Sequence, residues 1–172
     1  MRPKKVLFLT DWAYPIIGGT ERVVFGISEF MVKHGIEMHI VTPNWKNMAA
    51  DEVIHGVHIH RFKIKNMMNP YRRMIGFYMA SMKVAKENKF DIVHSIYTIP
   101  LYISGFVIAK TLRAKYIFTW QEREPLEEHF NSPIKKVGIL KFLKTFKPDY
   151  MTTESWELER YLKKNILAAG AR

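Results

Sequence analysis

The sequence predicts one α/β domain built on a doubly wound parallel sheet that carries helices on both faces. Three observations predict it: a continuous apolar run at Lys5–Thr10, an alternation of strands and helices from there onward, and the lack of any repeat or linker. A run that is apolar at every position is typical of a central parallel strand, which is buried on both sides. The 172 residues are enough for one domain and few for two.

Each predicted element has a local signal. Helices are predicted where apolar residues recur every three or four positions, and strands where short apolar runs are bounded by Gly, Pro, Asn or Asp. Thr20 is placed to cap the first helix, Gly35 to end it, and Gly56 to separate two short strands. In chain order we predict a strand at 5–10, a helix at 20–34, a strand at 38–42, two short strands within 52–65, a helix at 67–88, a strand at 91–95, a helix at 101–112, a strand at 116–120, a helix from 132 to about 146, a strand at 149–153 and a helix from 155 to about 168.

Composition excludes several classes of protein. Hydrophobic residues make up 48% and charged residues 25% of the chain, which is enough apolar material for a core. There is no cysteine, so neither a disulfide framework nor a thiolate metal site is available. The apolar run after the basic N-terminus is too short for a signal peptide or a membrane span. We therefore expect a cytoplasmic protein.

The formal charge of +11 favours anionic partners such as phosphates, nucleotides or acidic lipid surfaces. A solvated basic surface explains the charge equally well. No RNA- or DNA-binding motif accompanies it, so a nucleic-acid partner is the least favoured. Residues 66–90 form a basic amphipathic segment of the kind that lies on anionic membranes, although packing of this helix against the core is favoured.

A glycine turn follows the first predicted strand. Gly18 and Gly19 stand just before the first predicted helix, where a missing Cβ allows a sharp turn and lets an anion approach the backbone. The first helical N–H groups and the helix dipole then favour phosphate. The turn is neither the Gly-Lys-Ser/Thr phosphate loop nor G-x-G-x-x-G, and no acid after strand 38–42 is placed to hold a ribose. The alternative is that the two glycines only ease a tight turn.

Four segments, in order along the chain, resemble one family of enzymes. Residues 15–21 resemble the P-x-x-G-G-x-E segment of the retaining glycosyltransferases of family 4. Residues 91–94 resemble that family's D-(I/V)-(I/V)-H segment, residues 117–122 its V-V-T-x-H-(D/E) segment, and residues 149–155 its D-x-(V/I)-x-x-x-S segment. The first match is fairly specific, and the others gain weight as a series.

The resemblance implies the two-domain GT-B architecture, with residues 1–172 as its single Rossmann-like, acceptor-side N-terminal domain. The C-terminal domain, which in that family binds most of the nucleotide-sugar, is absent from these residues, so we expect no sugar transfer by this domain alone. It also implies a carbohydrate or lipid acceptor, a possible contact with the inner surface of a membrane, and no cofactor besides the nucleotide-sugar donor. By resemblance, the residues facing the donor phosphates are Gly18 and Gly19, and those lining the acceptor cleft are Pro15, Glu21, His94, Gln121 and Glu122.

The chain departs from the family pattern at Gln121, where the family usually has a histidine. A glutamine can hydrogen-bond a sugar hydroxyl but cannot titrate, so an orienting role survives and an acid–base role does not. Glu122 keeps the acidic neighbour, with a solvated loop carboxylate as the alternative. His94 is equally well explained as a structural hydrogen-bonding residue.

Three histidines, His55, His58 and His60, crowd one predicted hairpin. His58 and His60 share a face by strand alternation, so a metal site is conceivable. No carboxylate or cysteine has matching spacing, and we expect no metal. The favoured function is that of an acceptor-binding glycosyltransferase domain. The alternative is a non-catalytic α/β module that binds a glycan or a nucleotide.

Overall fold

Short apolar strands separated by amphipathic helices form the described part of the protein, which a computed structural model gives for residues 2–16, 18–66, 69–96, 98–121 and 145–153. The α/β prediction is confirmed, and the two strands around Gly56 form a hairpin. The elements are β1 (Lys5–Leu9), α1 (Gly19–Lys33), β2 (Glu37–Pro43), β3 (Asp51–Ile54), β4 (Val57–Phe62), α2 (Pro70–Ala85), β5 (Ile92–Ile96), α3 (Ile99–Leu112), β6 (Lys115–Trp120) and β7 (Tyr150–Thr153).

The strands form one seven-stranded sheet in the order β3-β4-β2-β1-β5-β6-β7. Every neighbouring pair is parallel except β3 and β4, which are antiparallel. The chain moves outward from β1 on one side, through β2 to β4, and then returns to place β5 on the other side of β1. This reversal next to β1 is the switch point of a doubly wound sheet.

Alternate residues of β1 supply two cores, one on each face of the sheet. Val6 and Phe8 pack with Val24 of α1, whereas Leu7 and Leu9 belong to the cluster that contains the buried residues of α2 and α3. The period-2 direction of side chains along a strand makes this division. The domain therefore has three layers, with α1 on one face and α2 and α3 on the other.

The ends of the helices correct three sequence-based predictions. The capping position of α1 is Gly18, in extended conformation, so the prediction of Thr20 as cap is wrong. Gly35 has a φ of +76° and follows the last turn of α1 as predicted. α2 begins at Pro70 rather than at 67, because the Asn69 side chain accepts a hydrogen bond from the N–H of Arg72 at 3.1 Å and the proline fits the first turn. α3 begins at Ile99, two residues earlier than predicted.

Some predicted features lie outside the described residues. They are Glu122 and the acidic loop that follows it, most of the helix at 132–146, and the helix at 155–168. None of the helices in the described ranges combines the length and the apolar character that a membrane crossing needs.

Candidate functional site

The candidate site lies at the carboxyl edge of the sheet, beside the switch point between β1 and β5. In an open α/β sheet, ligands bind in the crevice beyond the carboxyl ends of the strands where the winding reverses. The β1–α1 connection borders this crevice. Because β5 and β6 follow β1 in the sheet, the residues after these two strands lie along the same edge. Of the residues predicted from the sequence, Pro15, Gly18 and Gln121 lie on these connections, and Gly19 is the first residue of α1.

The glycine turn leaves the N-terminus of α1 open. Gly18 is exposed, with φ −129° and ψ −166°, and no side chain of the described residues caps the helix. A Cβ built on Gly19 would meet nothing within 4 Å, whereas one on Gly18 would overlap the Glu21 carboxylate. The start of α1 thus has room beside Gly19 and no capping side chain among the described residues, an arrangement that can bind an anion at a helix N-terminus.

A buried arginine fixes the loop that precedes the glycine turn. Arg61 at the end of β4 donates through Nη2 to the carbonyl of Tyr14 at 2.5 Å and pairs with Glu52. The Tyr14–Pro15 peptide bond is cis, and the Pro15 side chain is exposed. The guanidinium of Arg61 thus ties Tyr14, in the loop before the glycine turn, to the sheet.

Glu21 lines a pocket between the β1–α1 connection and the first turns of α1. The pocket has a volume of about 250 Å³ and is also lined by Tyr14 and Phe25, whose rings stack at 5.4 Å, and by Arg22. A carboxylate beside an arginine and two aromatic rings can bind a polar ring-shaped group. The structure thus places Glu21 next to Gly18 and in the wall of this pocket.

Asp11 is a candidate that the sequence analysis missed. It follows β1 by two residues, is buried, and meets groups from two other elements: Thr98 Oγ1 donates to its Oδ2 at 3.4 Å, and Arg73 Nη1 of α2 lies 3.5 Å from its Oδ1. Burial raises the pKa of Asp11, with the Arg73 charge and the Thr98 hydrogen bond opposing it. A carboxylate held at the switch point by long, weak contacts can accept a hydrogen bond from a ligand hydroxyl.

Two stacked indoles flank Asp11. Trp12 and Trp45 stack with ring centroids 4.1 Å apart, and Trp45 Nε1 donates to the Asp11 carbonyl at 2.6 Å. Trp12 is 37% exposed, so one face of the pair meets solvent at the edge of the crevice. A flat, rigid aromatic surface of this kind suits the apolar face of a ring.

His94 sits within β5, two residues before its end. Its ring stacks on Phe8 at 4.2 Å, and its Nε2 contacts Thr119 Oγ1 at 2.7 Å, which in turn contacts Thr152 Oγ1 at 2.6 Å. Burial lowers the pKa of His94 to about 4, so the ring is neutral at pH 7. These contacts join β5, β6 and β7, which favours the structural alternative for His94.

Gln121 directly follows β6 at the same edge of the sheet and is half-buried. Its neighbour Glu122 lies outside the described residues. The structure therefore brings the glycine turn, Asp11 and the end of β6 to one edge, and it sets His94 deeper in the sheet. The only signal for Asp11 in the sequence is its position after a buried strand. Its partners Thr98 and Arg73 are far from it in sequence, so these contacts could not be predicted.

Comparisons with known proteins bear on the family and the fold of the chain. The family model described as Glycosyltransferase Family 4 matches residues 17–168. Among solved structures, the chain is similar to a protein from E. coli described as trehalose-6-phosphate bound with UDP-2-fluoro glucose, with a TM-score of 0.57 and 12% identity. The match covers 98% of this chain and 44% of that one, so the chain spans less than half of that protein, and the likeness shows the fold. The comparison with curated proteins finds no match.

Proposed function

The chain belongs to glycosyltransferase family 4, and we propose that it is the acceptor-binding domain of an enzyme that moves a sugar from a nucleotide-sugar to a hydroxyl group with retention. The observation that carries the proposal is the open N-terminus of α1, with Gly18 and Gly19 at the switch-point edge of the sheet. In this proposal a second domain binds most of the donor, and residues 1–172 act as one unit beside it.

The donor diphosphate would approach the first turn of α1. The free N–H groups there and the positive end of the helix dipole favour a negative group, and the space in front of Gly19 admits it. Glu21 is the acidic residue in this first turn, and its carboxylate lies against Gly18 on the pocket side. The phosphate would therefore occupy the side of the turn that faces the crevice.

The acceptor would lie across the crevice from the donor. Trp12 offers a flat exposed face to a sugar ring, and the Asp11 carboxylate accepts a hydrogen bond from a hydroxyl beside it. Gln121 can add an amide hydrogen bond from the end of β6. Pro15, Glu122 and His94 stay predictions as acceptor contacts, with His94 more deeply placed than the others.

Transfer with retention of the sugar's configuration is compatible with a crevice that lacks a strong base among its described residues. Front-side attack assisted by the donor phosphate asks this domain for positioning and electrostatic stabilisation rather than for a strong base. His94, whose pKa is about 4, is a weak base with its Nε2 already bonded to Thr119. The described crevice thus offers groups that orient a hydroxyl.

A pair of matched variants tests the donor side. In the natural protein, with whatever sequence follows this domain, Gly19→Phe should lower kcat/KM for the nucleotide-sugar by at least about tenfold, because the ring fills the space in front of α1 and shields its N–H groups. Val107→Phe places the same ring at an exposed residue of α3, which is 41% exposed and lies outside the pocket lined by Glu21, and should change kcat/KM by less than about twofold. Equal losses in the two variants would contradict the phosphate site.

The alternative is a non-catalytic module that binds a glycan or a nucleotide through the same edge. It predicts saturable binding of one of these ligands, weakened by Gly19→Phe, with no sugar transfer by the natural protein to any carbohydrate or lipid acceptor. Transfer by the natural protein would exclude it.

Residues on α2 support contact with an anionic membrane surface, which we add to the proposal. Tyr71, Ile75 and Met79 recur at four-residue spacing and are 74%, 63% and 63% exposed, so they form an apolar stripe on the outer face of α2. Arg72 and Lys83 stand beside this stripe and are also exposed. The N-terminal end of α2 reaches the crevice through Arg73, so a membrane on this face would bring a lipid-borne acceptor close to Asp11. In this proposal the protein works in the cytoplasm, at the inner surface of the membrane.

A further inference from the structure

A cluster of histidines and carboxylates lies at the opposite, amino-terminal edge of the sheet. Glu37 and His39 are two residues apart on β2, and the parallel register places His39 beside His58 of β4. Their side chains project from the face that carries α2 and α3, where the edge of the His39 ring meets Phe90 at 5.1 Å. The cluster is therefore separate from the crevice and is not used by the proposed transfer.

The rings stand in a tight stack. His39 is buried, and its ring centroid lies 4.6 Å from that of His58 and 5.3 Å from that of His60, with nearly parallel planes. His39 Nε2 is 2.8 Å from Glu37 Oε1, and His39 Nδ1 is 3.0 Å from His60 Nε2. His60 Nδ1 is 2.7 Å from Asp51 Oδ1, which completes a chain of three contacts.

The ring nitrogens of this cluster have a defined order of contacts. When His60 donates from Nδ1 to the Asp51 carboxylate, its Nε2 accepts the Nδ1–H of His39. His39 Nε2 then faces Glu37 Oε1 at 2.8 Å, and the same oxygen also receives the Lys5 ammonium. In this tautomer His39 Nε2 and the Glu37 carboxylate offer a metal ion one imidazole and one carboxylate ligand.

We propose that Glu37, His39 and His58 bind a divalent transition-metal ion, with zinc as the best fit. One carboxylate oxygen and two imidazole nitrogens form a common donor set for zinc, and they leave a coordination position for water. Asp51 and His60 then fix the protonated Nδ1 of His39 and hold its Nε2 toward the metal, the usual arrangement around metal-bound histidines.

The donor atoms are close enough for one ion. The ligand atoms of Glu37, His39 and His58 all lie within 4.8 Å of one another. A tetrahedral ion with bonds of about 2.0–2.1 Å separates its donors by roughly 3.3 Å. The required closure is thus about 1.5 Å at most, and His58, which has no side-chain hydrogen bond in the described part of the chain, can supply it by rotating its ring.

Solvent can reach the cluster from the α2 side. Asp51 and His60 line a groove of about 840 Å³ between β4 and α2, which provides an entry path for an aqueous ion. The opposing charge is Lys5, whose Nζ lies 2.6 Å from Glu37 Oε1 and 2.8 Å from Asn88 Oδ1. When Glu37 turns toward the metal, Lys5 keeps the Asn88 oxygen as a partner.

Binding of the metal alone provides the first test. Titration of the purified protein with Zn²⁺, followed by calorimetry, should show one saturable site, and bound Co²⁺ should give the visible absorption of a four-coordinate ion. His58→Gln should weaken Zn²⁺ binding by at least about tenfold. The matched control is His55→Gln on the same hairpin, because His55 is exposed and pairs with Glu29 instead, and it should leave the affinity unchanged. At free Zn²⁺ about a hundredfold above Kd, Tm should rise by about 5–10 °C.

A gain of affinity gives a second test that misfolding cannot imitate. Lys5→Gln removes the positive charge beside Glu37 and should tighten Zn²⁺ binding by about tenfold. The proposal is overturned if Zn²⁺ does not bind, if His58→Gln and His55→Gln bind it equally well, or if Lys5→Gln binds it no more tightly than the unchanged protein.

Discussion

The neutral ring of His94 is a consequence of where β5 places it. Its surroundings are Phe8 and the Thr119 hydroxyl, neither of which carries a charge, and burial alone lowers its pKa from 6.5 to about 4. In the unfolded chain the same ring binds a proton near pH 6.5. The folded and unfolded states therefore hold different numbers of protons between about pH 4 and pH 6.5.

This difference predicts a loss of stability in acid. The stabilisation from a neutral His94 is fully present above pH 6.5 and is lost as the pH falls toward 4, at up to about 1.4 kcal/mol per pH unit, because the unfolded state gains the proton first. His94→Gln should remove this contribution and flatten the dependence of the free energy of unfolding on pH in that window. Urea unfolding at several pH values measures it. The exposed His34→Gln is the control, and an unchanged slope in His94→Gln would contradict the prediction.

The sequence predicts the face of the sheet on which a side chain lies when that depends only on alternation along one strand. Strand alternation put His58 and His60 on one face correctly. The same rule applies to Glu37 and His39, so the view that no carboxylate had suitable spacing was wrong. What the sequence could not give was the register of β2 against β4, which sets His39 beside His58. Asp11 was missed for the same reason, because its contacts with Thr98 and Arg73 join segments far apart in sequence.

At the scale of the element, two helical glycines have opposite surroundings. A Cβ on Gly105 of α3 would lie 2.5 Å from Tyr116 Cε2 and 2.7 Å from Ser95 Oγ. Tyr116 cannot move aside easily, since its hydroxyl contacts Ser95 Oγ at 2.7 Å and donates to the Tyr102 carbonyl at 2.8 Å. Gly26 of α1 has open space around the same position.

The two alanine substitutions should therefore change stability in opposite directions. Gly26→Ala gains helix propensity and should raise the free energy of unfolding by up to about 1 kcal/mol. Gly105→Ala gains the same propensity but overpacks the α3–sheet interface, and it should lower that free energy by about 1–2 kcal/mol overall. Denaturant titrations of the two proteins measure both values. A stabilised Gly105→Ala would mean that α3 does not pack this closely on β5 and β6.

Element types were easier to predict than element ends. Apolar periodicity and bounding residues located every strand and helix of the described ranges, since these signals are local. The start of α1 was misplaced because the capping position is a glycine that offers no side-chain signal. The start of α2 was misplaced because Pro70 and the Asn69 side chain decide it, and the apolar residues before them belong to the preceding connection.

At the scale of the whole molecule, the sheet order follows from general rules rather than from any one residue. Alternating strands and helices predict a doubly wound parallel sheet, and its switch point predicts the edge at which a ligand binds. The face of α2 that stays exposed was not predictable in this way. The apolar periodicity of this helix favoured packing against the core, and Phe77 and Ser81 are indeed buried. The outward stripe of Tyr71, Ile75 and Met79 became visible only when the buried face was known.

The net charge of +11 and this stripe together predict binding to anionic lipid vesicles. The protein should sediment with vesicles that contain phosphatidylglycerol and not with neutral ones, and added salt should weaken the binding. Ile75→Glu should lower the affinity by about tenfold, because it places a carboxylate in the stripe. Phe30→Glu makes the same change of charge at a residue of α1 that is 58% exposed and should have a much smaller effect. Equal losses in the two variants would show that net charge alone attracts the vesicles, and α2 would then have no part as a docking surface.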